Sequence, residues 1–125
     1  MNENDISKII VDCCFNIHRT LGPGLFESVY EEILSHELKK SNLKIERQKP
    51  LPVYYDGIEL EVGFRTDIIV ENKVIIEIKS IETISPVHKK QLLTYLRLSN
   101  MKLGLLVNFN SALIKHGITR IVNDL

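Results

Sequence analysis

The sequence predicts one α/β domain over residues 1–125, with a central mixed β-sheet flanked by helices and the element order ααββββαββ. Three observations predict it. Apolar residues recur at helical spacing up to about residue 41, and from Lys44 the period shifts to two. A helix start at Ser85-Pro86 then separates two further apolar segments from the strands before it. A length of 125 residues suits one domain, and a hydrophobic content of 44% can build a core.

The elements follow in chain order. Asn4 or Asp5 can cap a first helix whose stripe is Ile6, Ile9, Ile10, Cys13 and Ile17. Gly22 stops it, and Leu21-Gly22-Pro23-Gly24 is a tight turn. A second helix runs from about Phe26 to Ser41, with Val29, Tyr30, Ile33, Leu34 and Leu38 inward. Lys44–Arg47 and Leu51–Tyr55 read as strand pieces, and Pro50 and Pro52 suggest a sheet edge. Asp56-Gly57 is a hairpin turn. Ile58–Val62, Phe64–Val70 and Val74–Lys79 follow as strands. A third helix spans Ser85 to about Ser99, and Lys102–Asn108 and Gly117–Val122 close the chain as strands.

Composition excludes several functions. No apolar run approaches the ~20 residues that cross a bilayer, and MNENDISK lacks the features of a signal peptide. Sixteen basic and sixteen acidic residues balance, which disfavours a polycation that coats nucleic acid. Cys13 and Cys14 are adjacent and have no other cysteine to pair with, so the reading is a reduced, cytoplasmic protein. Cys13 lies on the apolar stripe and reads as core.

The chemistry concentrates between Arg65 and Lys79. If Glu71-Asn72-Lys73 forms a three-residue loop, Val70 faces Val74, Asp67 stands opposite Glu77, and Arg65 opposite Lys79. Glu77 and Lys79 share a face because side chains alternate along a strand. Opposed Cβ atoms lie roughly 4.5–5.5 Å apart, so the two carboxylates repel unless a cation lies between them. A solvated hairpin face with ion pairs to Lys79 is one reading. The other is a metal site, because Ile69 and Ile75 share that face and a half-buried carboxylate pair is costly without a partner. Mg²⁺ suits two close carboxylates and keeps several waters. Lys79 beside it could orient a water or stabilise developing charge, or merely neutralise Glu77.

Asp67, nine residues, then Glu77-x-Lys79 resembles the signature of the PD-(D/E)XK nuclease superfamily. Gly24-Leu25-Phe26-Glu27-Ser28-Val29-Tyr30 reads G-x-x-E-x-x-Y. With His18-Arg19-Thr20-Leu21-Gly22-Pro23 before it, this string resembles the bacterial and archaeal GxxExxY family within that superfamily. Thr66 stands where the superfamily name has proline. The resemblance implies a restriction-endonuclease-like fold and a Mg²⁺- or Mn²⁺-dependent nuclease acting on DNA or RNA. Asp67 and Glu77 would be metal ligands and Lys79 catalytic.

The resemblance also adds flanking residues. Glu27 is by helix chemistry a first-turn glutamate suited to the dipole, and the resemblance makes it a third metal carboxylate. Tyr30, on the same helix face, reads more as a packing residue with a hydroxyl partner than as a catalyst. His18, at the edge of the first helix's stripe, is either a structural hydrogen-bonder or a site residue. Gln91 and Tyr95 share one face of the third helix, which by itself reads as a polar helix flank. The pair resembles a motif of RecB-like members of the superfamily, in which the glutamine orients the site. His88, Lys89 and Lys90 place cations at the positive end of that helix, which points either to a bound phosphate or to a solvated turn. Lys39, Lys40, Lys44, Arg47 and Lys49 read as a solvated face. The alternatives to a nuclease are a non-catalytic binding or regulatory module on the same scaffold, and a metal-dependent hydrolase of another substrate. So small a domain encloses little nucleic acid, which leaves room for a homodimer.

Overall fold

The computed structural model describes residues 1–125, apart from the side chains of residues 61 and 62. Two helices come first, α1 (Glu3–Leu21) and α2 (Glu27–Lys40). Three strands follow, β1 (Ile45–Tyr55), β2 (Ile58–Val70) and β3 (Val74–Lys79). Then come α3 (Pro86–Ser99), β4 (Leu103–Asn108), a 3-10 turn (Ile114–His116) and β5 (Ile118–Val122).

The strands form one sheet in the order β1-β2-β3-β4-β5. Only the β3–β4 pair is parallel, with α3 as its crossover, and the other neighbours are antiparallel. The sheet is therefore mixed and flanked by helices, as the sequence predicts. The strand segments expected at Ile58–Val62 and Phe64–Val70 are two limbs of β2. They pair with β1 on either side of a register shift, Leu51 opposite Phe64 and Val53 opposite Leu60. The two expected pieces of β1 likewise form one strand, through Gln48 at a φ of 49°. The Asp56-Gly57 hairpin turns through positive φ at both residues, 51° and 75°.

Each sheet face packs its own core. One face carries Ile68, Val70, Val74, Ile76 and Ile78 against α1 and α2. The other carries Ile69, Ile75 and Leu106 against Leu92 and Leu96 of α3. β3 and β4 lie between the two cores and are almost wholly buried, as expected of strands covered on both faces.

Two local expectations change. The cap of α1 is Asn2, not Asn4 or Asp5: its side chain accepts from the Asp5 N–H while Asp5 accepts from the Asn2 N–H. On α2 the buried stripe is Tyr30, Glu31, Leu34, Ser35 and Leu38, and Val29 is turned outward. The helix is rotated to bring Glu31 onto the sheet edge, where Arg47 and Gln48 hold its carboxylate.

Candidate active site

The β2–β3 loop is the three residues Glu71-Asn72-Lys73, with positive φ at Glu71 and Asn72. It sets Val70 opposite Val74, Ile69 opposite Ile75 and Ile68 opposite Ile76. There the ladder stops, because the strands part. The Ile78 N–H, which a continued ladder would bond to the β2 backbone, instead donates to Asp67 Oδ2 at 2.7 Å. A side chain thus replaces a strand rung, and the Asp67 carboxylate is fixed against the backbone of Glu77-Ile78-Lys79.

Glu77 is 9% exposed, and its Oε1 has no hydrogen-bond partner among the described residues. Burial pushes its carboxyl up, to about 9. The adjacent negative charge of Asp67 pushes the same way, and the Lys79 ammonium opposes them only in part. Lys79 is half-buried at the end of β3, opposite Asn108 of β4. Tyr95 of α3 feels the same two carboxylates. Burial, then Glu77, then Asp67 raise its hydroxyl above the usual range, while a hydrogen bond with Gln91 lowers it. Tyr95 also stacks on Phe64 of β2 at 4.0 Å, which ties α3 to the strand that carries Asp67.

The remaining candidates lie around this pair in distinct ways. Glu27 is the first residue of α2, exposed and without a hydrogen bond or ion pair among the described residues. Tyr30 is fully buried, stacked on Phe109 at 4.4 Å. Its hydroxyl donates to the Gly22 carbonyl at 2.6 Å and accepts from the Leu25 N–H at 3.3 Å. Gly24 between them has a φ of 103°, which side chains rarely adopt. Gly24 and Tyr30 therefore build the turn that places Glu27 at the start of α2. Ser80, next to Lys79, donates to the Leu25 carbonyl at 2.6 Å and pins that turn to the end of β3.

His18 bonds through Nε2 to the Ser111 carbonyl at 2.8 Å, in the loop after β4, and makes no hydrogen bond to the carboxylate pair. His88 closes the cap of α3: its Nδ1 accepts from the Ser85 N–H at 3.1 Å. Lys89 and Lys90 are exposed and make no ion pair among the described residues. Of the other basic stretch, Arg47 pairs with Glu31 and Glu32, Lys49 with Glu46, and Lys40 with Glu37.

Sequence reasoning missed two residues of the site's surroundings, Gln48, which touches Asp67, and Glu31, which Gln48 joins to it. Gln48 Nε2 donates to Asp67 Oδ1 at 3.3 Å and to Glu31 Oε1 at 2.7 Å, so it joins α2 to the site. Glu31 lies four residues after Glu27, on the same helix face, and that spacing was the available signal. Gln48 had none, since its role depends on a positive φ that no local motif announces.

Two carboxylates, one with an unpartnered buried oxygen, form a donor set that a hard divalent cation fits. Among the described residues no group of three or more His, Cys, Asp or Glu side chains is gathered as a metal cage. Mg²⁺ needs no such cage, because it keeps several waters and takes one or two carboxylates.

The sequence matches the PD-(D/E)XK nuclease superfamily over residues 4–121. The chain belongs to that superfamily. The solved structure entitled "Crystal structure of SSO0001" is similar at a TM-score of 0.58 and 27% identity, over 79% of this chain and 51% of that one. The chain therefore spans about half the length of that protein. No curated protein matches it. As in the superfamily's signature, Asp67 stands on one strand of a hairpin and Glu77-x-Lys79 on the next, with Thr66 in the proline position. Thr66 is buried, and its hydroxyl donates to the Lys49 carbonyl at 3.5 Å. No helix among the described residues is long and apolar enough to cross a membrane.

Proposed function

We propose that this PD-(D/E)XK protein is a Mg²⁺- or Mn²⁺-dependent nuclease that hydrolyses phosphodiester bonds of DNA or RNA. One observation carries the reading: the buried, unpartnered Glu77 Oε1 beside the Asp67 carboxylate. A buried carboxylate with an unpartnered oxygen beside a second, half-buried carboxylate is costly without a cation, and a protein that keeps one has a use for it. Asp67 and Glu77 would hold the metal, with Glu27 assisting from the start of α2. When bound, the ion neutralises phosphoryl charge and makes its water more acidic.

The chain's own groups do the rest. Asp67 is held by the Ile78 N–H and by Gln48, so its carboxylate is oriented before any ligand arrives. Lys79 orients the attacking water or its proton and faces the charge that develops on the phosphoryl oxygens. Gln91, through Tyr95, fixes the side of the site toward α3. Lys89 and Lys90 offer cations to the phosphates of a passing strand, while His88 closes the cap beside them. His18 and Tyr30 hold the loops that border the site. Within the superfamily we place the chain in the GxxExxY group on Gly24, Glu27 and Tyr30, and expect a cytoplasmic protein.

The test uses the parent and three variants, Asp67→Ala, Glu77→Ala and Lys79→Ala. Mn²⁺ binding and cleavage of single-stranded and duplex DNA and RNA are measured on the same preparations. Both carboxylate variants should lose metal and cleavage. Lys79→Ala should keep the metal and lose about 10²–10³-fold in turnover. A parent that binds Mn²⁺ and cuts nothing would make the non-catalytic scaffold module the better reading.

A further inference from the structure

Among the described residues Phe26 is the most exposed large apolar side chain, at 81%. The fold gives it no task. It occupies the N-cap of α2, where Ser, Thr, Asp or Asn would bond a free N–H, and it makes no cap bond. A cap of that kind stabilises a helix, and the chain forgoes it here. The residues on either side do have tasks. Leu25 gives its N–H to the Tyr30 hydroxyl, and Glu27 opens α2 and is, in the function proposed above, the carboxylate that assists the metal pair.

The position of Phe26 is defined by the catalytic strand. Ser80 follows Lys79 and bonds the Leu25 carbonyl at 2.6 Å. Two Cα–Cα steps and the two short side-chain and carbonyl reaches put the Phe26 and Lys79 Cα atoms at most about 15 Å apart. The loop after β3 is held by Asn108, whose amide donates to the Ile81 carbonyl at 2.9 Å and whose oxygen accepts the Ile81 N–H at 3.1 Å. The ring therefore stands on an anchored turn at the end of a central strand.

We propose that Phe26 is a stacking platform for an unpaired nucleobase a few nucleotides from the scissile phosphate, so that the preferred substrate carries a single-stranded stretch at the site. This rests on the nuclease reading and names its substrate class. An exposed aromatic ring takes any base on its face and adds affinity without sequence preference. Val29, one turn on and 37% exposed, widens the platform. A docked protein fits less well. Leu25, Phe26 and Val29 are three side chains, while a stable protein interface takes roughly 20–30 residues a side.

The chain contains no tryptophan, so Phe26→Trp creates a single reporter at this position. It is mixed with oligo(dT), single-stranded or paired to oligo(dA), with Ca²⁺ in place of Mg²⁺. Affinities are read independently by anisotropy of end-labelled strands for the parent, Phe26→Ala and Phe26→Leu. Single strands should quench the emission of the introduced indole and duplex should not. Phe26→Ala and Phe26→Leu should both weaken single-strand binding about 5- to 150-fold and leave duplex binding and the melting temperature unchanged. Leucine separates ring stacking from mere apolarity. Unchanged single-strand affinity in both variants, with no quenching, would overturn the proposal and leave the nuclease reading standing. A dimeric parent that becomes monomeric in Phe26→Ala, with oligonucleotide affinity unchanged, would also overturn it and assign the patch to a second copy. A parent that binds Mn²⁺ but no oligonucleotide would remove the nuclease reading, and the platform with it.

Discussion

Glu31 and Glu77 are buried to nearly the same degree, 7% and 9% exposed, and they are treated in opposite ways. Glu31 accepts from Arg47 Nε at 3.1 Å, Arg47 Nη2 at 3.0 Å and Gln48 Nε2 at 2.7 Å, so both its oxygens are engaged. Glu77 has an oxygen with no partner, a second carboxylate beside it, and a lysine that compensates only in part. Burial alone therefore does not mark a functional acid. The partner set does: Glu31 is a finished ion pair that fastens α2 to the sheet edge, and Glu77 is half of a site still short of positive charge. Gln48 touches both systems, since one amide nitrogen reaches Glu31 and Asp67.

The largest expected effect is on the pH dependence of stability without metal. Glu77 titrates near 9 in the folded chain and near 4.5 when unfolded. Between those values the folded state holds a proton that the unfolded state has lost. Stability is therefore fully present below pH 4.5 and falls as pH rises toward 9. At pH 7 the loss is on the order of 3 kcal/mol. Glu77→Gln should flatten this slope and melt above the parent at neutral pH in the absence of divalent ions. Thermal denaturation from pH 4.5 to 9 checks it, and parallel profiles for parent and variant would show that Glu77 is not the buried acid described.

Mg²⁺ should act on one glutamate and not the other. A ligand that binds only the folded state at a hundred times its Kd stabilises by about 2.7 kcal/mol. The parent and Glu31→Gln should both gain in melting temperature on titration with Mg²⁺ or Mn²⁺, and Glu77→Gln should gain nothing. The gain should come with proton release, because metal replaces the proton that Glu77 holds at neutral pH. Calorimetry in two buffers of different ionisation enthalpy measures that release. A shift retained in Glu77→Gln would place the ion elsewhere.

How far the sequence reached follows the same division. The β2–β3 register was legible from Val70–Val74 to Ile68–Ile76 because its determinants are local: a three-residue loop and apolar residues on both faces of both strands, where a slip would bury the wrong set. The rungs expected next, Asp67 opposite Glu77 and Arg65 opposite Lys79, are not part of the ladder, because Asp67 takes the Ile78 N–H with its side chain. The Glu31 system was not legible. The rotation of α2 that buries Glu31 and exposes Val29 is set by Arg47 and Gln48, sixteen and seventeen residues downstream. Helical periodicity favoured Val29 as core, and a buried ion pair overrode it. β1 and β2 were read in pieces because Gln48 and the register shift near Gly63 interrupt the period-two pattern, although the backbone continues through both.

Breaking the finished pair should cost where changing the unfinished one helps. Glu31→Gln leaves Arg47 with Glu32 and with solvent, since its side chain is 32% exposed, so the loss should be about 1–3 kcal/mol and not the larger cost of stranding a fully buried charge. Arg47→Met should cost more, because it leaves the buried Glu31 carboxylate with Gln48 alone. The double variant should cost less than the sum, by a coupling of about 0.5–3 kcal/mol if the pair acts as one unit. Strict additivity in urea denaturation would mean that Glu31 is held by Gln48 alone.

The smallest expected effect concerns the residue that joins the two systems. Gln48→Gly removes the side chain that bridges Glu31 to Asp67 and also relieves a positive φ that costs a non-glycine residue about 1 kcal/mol or more. The lost hydrogen bond to a charged acceptor is worth about 1.5–3 kcal/mol, and the added flexibility of glycine in the unfolded chain costs about 0.4–1 kcal/mol. These terms oppose, so the melting temperature should fall only slightly. Cleavage should respond more than stability does, because Asp67 keeps the Ile78 N–H but loses its second restraint. Gln48→Ala separates the contributions: it loses the same bridge without relieving the backbone, so it should be less stable than Gln48→Gly while matching it in activity. Equal stability of the two variants would show that the positive φ at Gln48 stores no strain, and unchanged cleavage in both would show that the Ile78 N–H alone suffices to orient Asp67.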